Sequence, residues 1–205
     1  MRGTSMIKSD WPELQGSPGR LIGYATIRLF AGQLGASASK ERVLAISYIR
    51  LVAKAVHDFE LAGSANDAAK EPLSDFLSAI QVTDHLENCI VTLHRILLFL
   101  NALKERGILT ADGGQILLKP RDAPVLARAT QEKITDMRDA ILHMDERIKK
   151  GEYPVGIPIT LGPRNGRLEL ERVVISLNEI ASWLDQLSEI AELLATHGVA
   201  GRTTY

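Results

Sequence analysis

The sequence predicts an all-α fold, an up-and-down bundle of about five helices with two short β-hairpin-like connectors. Three observations favour this class. Apolar residues recur at three- and four-residue steps over long stretches, which is the spacing of amphipathic helices. The segments between these stretches are short and rich in glycine and proline. Hydrophobic residues make up 45% of the 205 residues and charged residues 24%, which is typical of a globular protein rather than a disordered one.

The bundle is predicted to be a single domain over residues 20–198, after an irregular lead-in over residues 1–19. Two prolines and two glycines mark the lead-in: Pro12, Gly16, Pro18 and Gly19. Two natural starts are open, Met1 or Met6, and the second would leave residues 1–5 as a remnant of cloning.

The composition favours a cytoplasmic protein without membrane contact. No apolar run of secretory-signal length follows the N-terminus. The most apolar stretch, residues 96–100, is too short to cross a bilayer. Cys89 is the only cysteine, which excludes an intramolecular disulfide and is consistent with a reducing compartment.

The first half of the chain is predicted to hold three helices. The first spans about residues 20–34 and ends near Gly35. The second follows an N-cap at Ser39, runs to about residue 61 and is apolar on more than one face, so we expect it to be central. A loop is predicted at residues 63–67, and a long third helix over about residues 73–105.

The second half is predicted to hold two hairpins and two helices. Residues 108–118 resemble a small hairpin, and a helix over about residues 124–150 follows. Its inward stripe is Ile134, Met137, Ile141, Met144 and Ile148. A second hairpin is expected to pair residues 159–161 with 167–170, before a last helix over about residues 171–196.

Several function classes lack their local signatures. No phosphate-binding glycine loop follows a strand, and no Glu-x-x-His pair of a di-iron bundle occurs. His85 and Cys89 lie four residues apart and could give two metal ligands, but a buried thiol beside a histidine is the favoured interpretation. We therefore expect no metal and no cofactor. The net charge of -1 leaves no global basic field, so a nucleic-acid site would have to be local.

One constellation on the predicted fourth helix suggests chemistry. Asp139 and His143 lie four residues apart, so the carboxylate is positioned to accept a hydrogen bond from the imidazole. Such a partner fixes the tautomer and raises the histidine pKa, which suits a general acid or base. Arg138 flanks the same face and is suited to bind a phosphate.

Arg138, Asp139 and His143, on the penultimate helix of an all-α bundle, resemble the R-x4–6-H motif of HEPN domains. The resemblance covers this helix and the general layout of residues 20–196, with Asp139 where the family most often has asparagine. It implies a dimeric, metal-independent endoribonuclease of a toxin or phage-defence type with an antitoxin partner. The implied catalytic residues are Arg138 to stabilise charge on the phosphate, His143 to transfer protons, and Asp139 as the polar position. In that reaction an RNA 2′-hydroxyl attacks the adjacent phosphate.

Two other functions stay open, so the sequence leaves enzymatic activity undecided. One is a non-catalytic helical interaction module of the same fold, in which Arg138 and His143 are engaged in ion pairs. The other is a small-ligand bundle with a cavity beside Gln81, His85 and Asn88 on the third helix. A plain charged surface held by i,i+4 pairs would carry the same residues.

Overall fold

The all-α class is confirmed in the computed structural model, which describes residues 11–15, 40–69, 76–106, 108–109, 116–118, 124–152, 163, 165–170 and 172–197. The described helices are α1 (Lys40–Ala69), α2 (Phe76–Arg106), α3 (Arg128–Leu142), α4 (Met144–Lys149) and α5 (Leu177–His197). The described strands are β1 (Ile108–Leu109), β2 (Ile116–Leu118), β3 (Arg167–Leu170) and β4 (Val173–Ser176). The predicted helix over residues 20–34 lies outside the described residues.

The core is centred on α2, which packs most extensively against α1 and also against α3. Fully buried side chains on α1 include Tyr48, Val52 and Phe59, and those on α2 include Leu86 and Leu93. Each such apolar side chain stabilises the fold by roughly 1.5–3 kcal/mol relative to its exposed state. This central position explains why the helix after Ser39 is apolar on more than one face and why the next helix is long.

A buried hydrogen bond fastens α5 to α1. The Tyr48 hydroxyl donates to the Leu187 carbonyl oxygen at 2.9 Å. Burial raises the pKa of Tyr48 well above its usual range, so the hydroxyl keeps its proton and remains a donor. The contact satisfies the polar tip of a tyrosine whose ring is otherwise enclosed by apolar side chains.

The predicted loop at residues 63–67 is wrong, because α1 continues to Ala69. Trp11 lies against this part of the helix, and a Cβ atom added to Gly63 would come within 2.8 Å of its ring. The Trp11 and Phe59 ring centroids are 5.1 Å apart. Residue 63 is therefore a glycine because a larger side chain would collide with the indole. The helix continues through residues 63–67 because the burial of Ala62 and Ala65 in the core outweighs the turn-forming tendency of these residues.

The first predicted hairpin is confirmed, and the second forms with a different partner. β1 pairs antiparallel with β2, with an irregularity between Ile108 and Leu109. β3 pairs antiparallel with β4, so residues 173–176 are a strand rather than the start of the last helix. Three successive β-branched residues, Val173–Val174–Ile175, favour a strand there. The expected partner of β3, residues 159–161, lies outside the described residues.

The last helix begins where a capping box ends β4. Ser176 Oγ accepts a hydrogen bond from the Glu179 amide at 3.1 Å, and Glu179 Oε2 accepts one from the Ser176 amide at 2.8 Å. This Ser-x-x-Glu pattern was visible in the sequence and marks the true start of α5. Lys133 Nζ on α3 also contacts Glu179, at 2.7 Å, and so links α3 to the start of α5.

The predicted fourth helix is divided at His143 into α3 and α4. His143 has φ −102° and ψ 6°, outside the helical region, although its amide still donates to the Asp139 carbonyl at 3.0 Å. The inward stripe holds for Ile134, Met137 and Met144, which are buried. Ile148 is exposed, because the stripe runs past the core after the break.

One helix in the described part of the chain, α2, is long and apolar enough over Leu77–Arg106 to span a membrane by length and composition. The expectation of no membrane contact considered residues 96–100 alone and stays a prediction. Half of the spanning-length stretch is buried within the fold. Core helices of soluble proteins share this property.

Gly63→Ala tests whether the contact with Trp11 is the reason that α1 has a glycine at this position. Helix propensity alone would stabilise the alanine variant by up to about 1 kcal/mol. The clash with the indole should instead destabilise it, by about 1–3 kcal/mol. Denaturant unfolding measures the difference. In a Trp11→Ala background the same Gly63→Ala change should become stabilising, and an increase in stability in both backgrounds would contradict the contact.

Candidate functional site

Arg138 and Asp139 lie on α3 along the side of the helix that meets α2. The neighbouring residues Ile134, Met137 and Ala140 are buried and fix α3 against the core. Arg138 and Asp139 stand at the edge of this contact, where each keeps part of its side chain in solvent. Helical spacing thus places the two polar residues beside an apolar seam, as the sequence pattern predicted.

The Arg138 guanidinium is held by two neighbours. One nitrogen, Nη1, contacts Asp139 Oδ1 as a salt bridge. The other, Nη2, lies 3.4 Å from Nδ1 and 3.3 Å from Nε2 of His94 on α2. Near-equal distances to both ring nitrogens place Nη2 over the imidazole face rather than in line with one lone pair. Only 26% of the Arg138 side chain is exposed, so the arginine functions as a clamp between α2 and α3.

His94 has a lowered pKa in this setting. Partial burial lowers it first, the Arg138 cation lowers it further, and the Asp139 carboxylate opposes them. The imidazole is therefore neutral at pH 7, and a neutral ring is the form that a guanidinium can pack against without charge repulsion.

His143 does not join this cluster. The expected hydrogen bond to Asp139 is absent from the described contacts, because Arg138 takes the carboxylate and His143 stands at the break between α3 and α4. Its Nδ1 lies 3.6 Å from Glu146 Oε2, too far for a hydrogen bond, and 52% of its side chain is exposed. The structure thus brings Arg138 and Asp139 together and leaves His143 as a separate, accessible imidazole.

His94 is the site residue that sequence reasoning missed. The residues singled out on the third predicted helix, Gln81, His85 and Asn88, do not include it. The available signal was a histidine at the edge of the apolar α2 stripe, one turn before Leu98. Its pairing with Arg138 depends on the register between two helices, which one sequence does not reveal.

The cavity expected beside Gln81, His85 and Asn88 is not the groove that the structure describes. Gln81 and Asn88 are exposed, and His85 is partly buried. The described groove is lined by Trp11 and by residues of α1. The small-ligand hypothesis for the residues around His85 therefore lacks a cavity among the described pockets.

Cys89 is unsuited to catalysis or metal binding. Its side chain is fully buried, and burial together with the charge of Asp58 raises the pKa of the thiol far above its usual range. A protonated, enclosed thiol is a poor metal ligand or nucleophile. Among the described residues, no group of three or more histidine, cysteine, aspartate or glutamate side chains is arranged to hold a metal ion.

Two basic side chains of α3 pair with acids. Arg128 Nε contacts Glu132 at 3.0 Å, and Lys133 contacts Glu179 at 2.7 Å. Asp145 and Glu146 lie two and three residues after His143, and the basic Arg147 and Lys149 follow them on α4. The surface around Arg138 and His143 therefore carries close to balanced charge, which offers a phosphate chain little attraction.

No protein-family model matches this chain, and neither the curated proteins nor the solved structures include a significant match to it.

The pKa of His94 should report the clamp. Arg138→Ala removes a repelling cation and should raise that pKa, whereas Asp139→Asn removes an attracting anion and should lower it further. The two changes alter neighbouring residues but shift the titration in opposite directions. NMR titration of the His94 ring measures both, with the exposed His57 on α1 as an internal control.

The same shift has a consequence for stability. Since folding lowers the pKa of His94, its contribution is present above about pH 6.5, the value in an unfolded chain, and is lost as the pH falls from there through the lower pKa of the folded state. In the Arg138→Ala variant, the free energy of unfolding should fall less as the pH is lowered through this range. Identical titrations of His94 in the wild type and both variants would contradict the clamp.

Proposed function

We propose that the chain is a HEPN-like helical module that acts by protein contact, pairing with a second copy of itself along the seam between α2 and α3. In this proposal Arg138 is a structural clamp rather than a catalytic group. The observation that carries it is the double engagement of the guanidinium by Asp139 and His94. An arginine that binds a scissile phosphate needs its donors free and facing solvent.

Two exposed leucines support a protein partner. Leu98 lies one helical turn after His94 on α2, and Leu142 lies one turn after Arg138 on α3. Their side chains are 56% and 55% exposed. His94 and Arg138 are in contact, and we call these four residues together the seam face. Leucines on such a face favour burial against another protein.

A second copy of the chain suits this surface. The seam face has one cation and one neutral imidazole, with Asp139 beside them, so it carries little net charge and two copies would not repel each other. Isologous contact of a self-complementary patch is the commonest route to a dimer. Dimers are also what the HEPN resemblance implies. An antitoxin partner stays a prediction of that resemblance, and a cytoplasmic location stays a prediction of the composition.

Charged substitutions on the seam face test the pairing. Leu98→Arg and Leu142→Arg should each weaken dimerisation by at least about tenfold, because a desolvated cation would face its own copy. Sedimentation velocity over a concentration series measures this. Leu193→Arg on α5 is the matched control, since Leu193 is 42% exposed on a helix that packs against α1. A wild-type chain that stays monomeric, or a control variant that dissociates equally, would refute the seam face.

Endoribonuclease activity is the second candidate, favoured by the accessible imidazole of His143. His143 follows Leu142 in the chain, so a dimer formed through the seam face would bring two His143 rings to the same contact. His143 would then take the proton of the attacking 2′-hydroxyl or return one to the leaving oxygen. Arg138 would have to exchange Asp139 for the phosphate, whose charge it would stabilise.

Expression in bacteria separates the two functions. The interaction module predicts that the wild type and an Arg138→Ala/His143→Ala variant leave growth and total RNA unchanged. The ribonuclease predicts growth arrest and RNA cleavage by the wild type alone. It further predicts faster cleavage by Asp139→Asn, which frees Arg138 from its carboxylate. Cleavage that depends on both residues would overturn the non-catalytic proposal.

A further inference from the structure

Asn165 and Gly166 form an exposed turn directly before β3. Both residues have positive φ, 50° for Asn165 and 70° for Gly166. Two successive residues in this left-handed region are rare, and asparagine followed by glycine is the pair that adopts it most readily. The turn therefore accounts for the Asn-Gly pair and presents it to solvent.

Gly166 is uncrowded but joined to the start of α5. A Cβ atom built on it would meet nothing within 4 Å beyond its chain neighbours. Its carbonyl oxygen accepts a hydrogen bond from the amide of Leu177, the first residue of α5, at 2.9 Å. This bond extends the β3–β4 ladder by one pair past Arg167 and Ser176. The conformation of the turn is thus linked to the first turn of α5.

The other asparagines have a different setting. The sequence has five, Asn66, Asn88, Asn101, Asn165 and Asn178, and only Asn165 precedes a glycine. The remaining four lie within α1, α2 or α5. Hydrogen bonding in a helix holds the amide that follows each of them. After Asn178, for example, the Glu179 amide donates to Ser176 Oγ at 3.1 Å.

An asparagine before a glycine is prone to an intramolecular reaction. Solvent hydroxide removes the proton of the glycine amide, and that nitrogen attacks Cγ of the asparagine. A C–N bond forms, the bond from Cγ to Nδ2 breaks, and Nδ2 takes a proton from water and leaves as ammonia. Water then opens the five-membered succinimide ring at either carbonyl. One opening gives aspartate, and the other gives isoaspartate, whose main chain runs through Cβ and Cγ.

We propose that Asn165 is a site of spontaneous deamidation and that its isoaspartyl form releases the start of α5. Glycine has no side chain to obstruct the attack, and the turn is exposed enough to open locally for ring closure. Isoaspartate lengthens the main chain by one atom just before Gly166. Because the buried Leu168 holds β3 in the core, the lengthened turn shifts and the Gly166–Leu177 hydrogen bond is lost. The seam face takes no part in this reaction.

Peptide mapping by mass spectrometry, after incubation of the folded wild type at pH 7 and at pH 9, measures the reaction at each asparagine. Asn165 should react at least about tenfold faster than Asn178, because the helix must open before Asn178 can react. Its rate should also be at least about tenfold higher at pH 9, because the attacking nitrogen must first lose its proton. The chain unfolded in urea is the positive control for the chemistry.

Two variants locate the reaction. Asn165→Gln should remove the acidic species that ion-exchange chromatography separates from the aged wild type, because glutamine closes a six-membered ring more slowly. Asn178→Gln on α5 is the matched control and should accumulate that species as the wild type does. In the separated isoaspartyl form, the Leu177 amide should exchange with deuterium at least about tenfold faster than in fresh protein. The Leu184 amide, further along α5, should exchange as before.

Three results would overturn the proposal. The first is an Asn165 that stays intact in the folded protein while the unfolded chain reacts. The second is an acidic species that forms in Asn165→Gln as fast as in the wild type. The third is a Leu177 amide that exchanges equally slowly in the fresh and isoaspartyl forms, which would refute the link to α5.

Discussion

The fold depends on covering α2 on more than one side. This helix carries Leu86, Ile90, Leu93 and Leu103 fully buried, and α1 alone covers only part of its circumference. α3 covers another part through Ile134 and Met137. α5 in turn closes over α1, where the Tyr48 hydroxyl reaches the Leu187 carbonyl oxygen. The hairpin of β3 and β4 contributes Leu168 and Ile175 to the same core and delivers the chain to the start of α5.

That arrangement determines what the motif residues can do. Where α3 meets α2, the buried apolar contact gives way to solvent, and Arg138 stands at that edge. An unpaired cation at this edge would lose part of its hydration without gaining a partner. Asp139 and a neutral His94 supply the contacts that replace the lost water. Leu98 and Leu142, one helical turn after His94 and Arg138, are exposed. One constraint thus explains a restrained arginine and a histidine of lowered pKa.

The sequence predicted much of the fold and less of the site. Helical periodicity located the long helices, because burial on one face repeats with the helix turn. It failed at residues 63–67, where a distant tryptophan explains a glycine, and at residues 173–176, where strand pairing precedes the capping box. Arg138 and Asp139 were identified from their spacing. Their partner His94 was not, since it depends on inter-helix register, and the expected Asp139–His143 bond failed because an adjacent arginine competes for the carboxylate.

Pairing through the seam face requires that its side chains become buried when two copies of the chain meet. Hydroxyl-radical footprinting read by mass spectrometry measures this directly, side chain by side chain, in the wild-type protein at low and high concentration. Leu98 and Leu142 should become protected together as concentration rises, while Leu193 on α5 stays equally reactive. Unchanged labelling of both seam leucines over a range in which the protein associates would contradict the account, because the contact would then lie elsewhere.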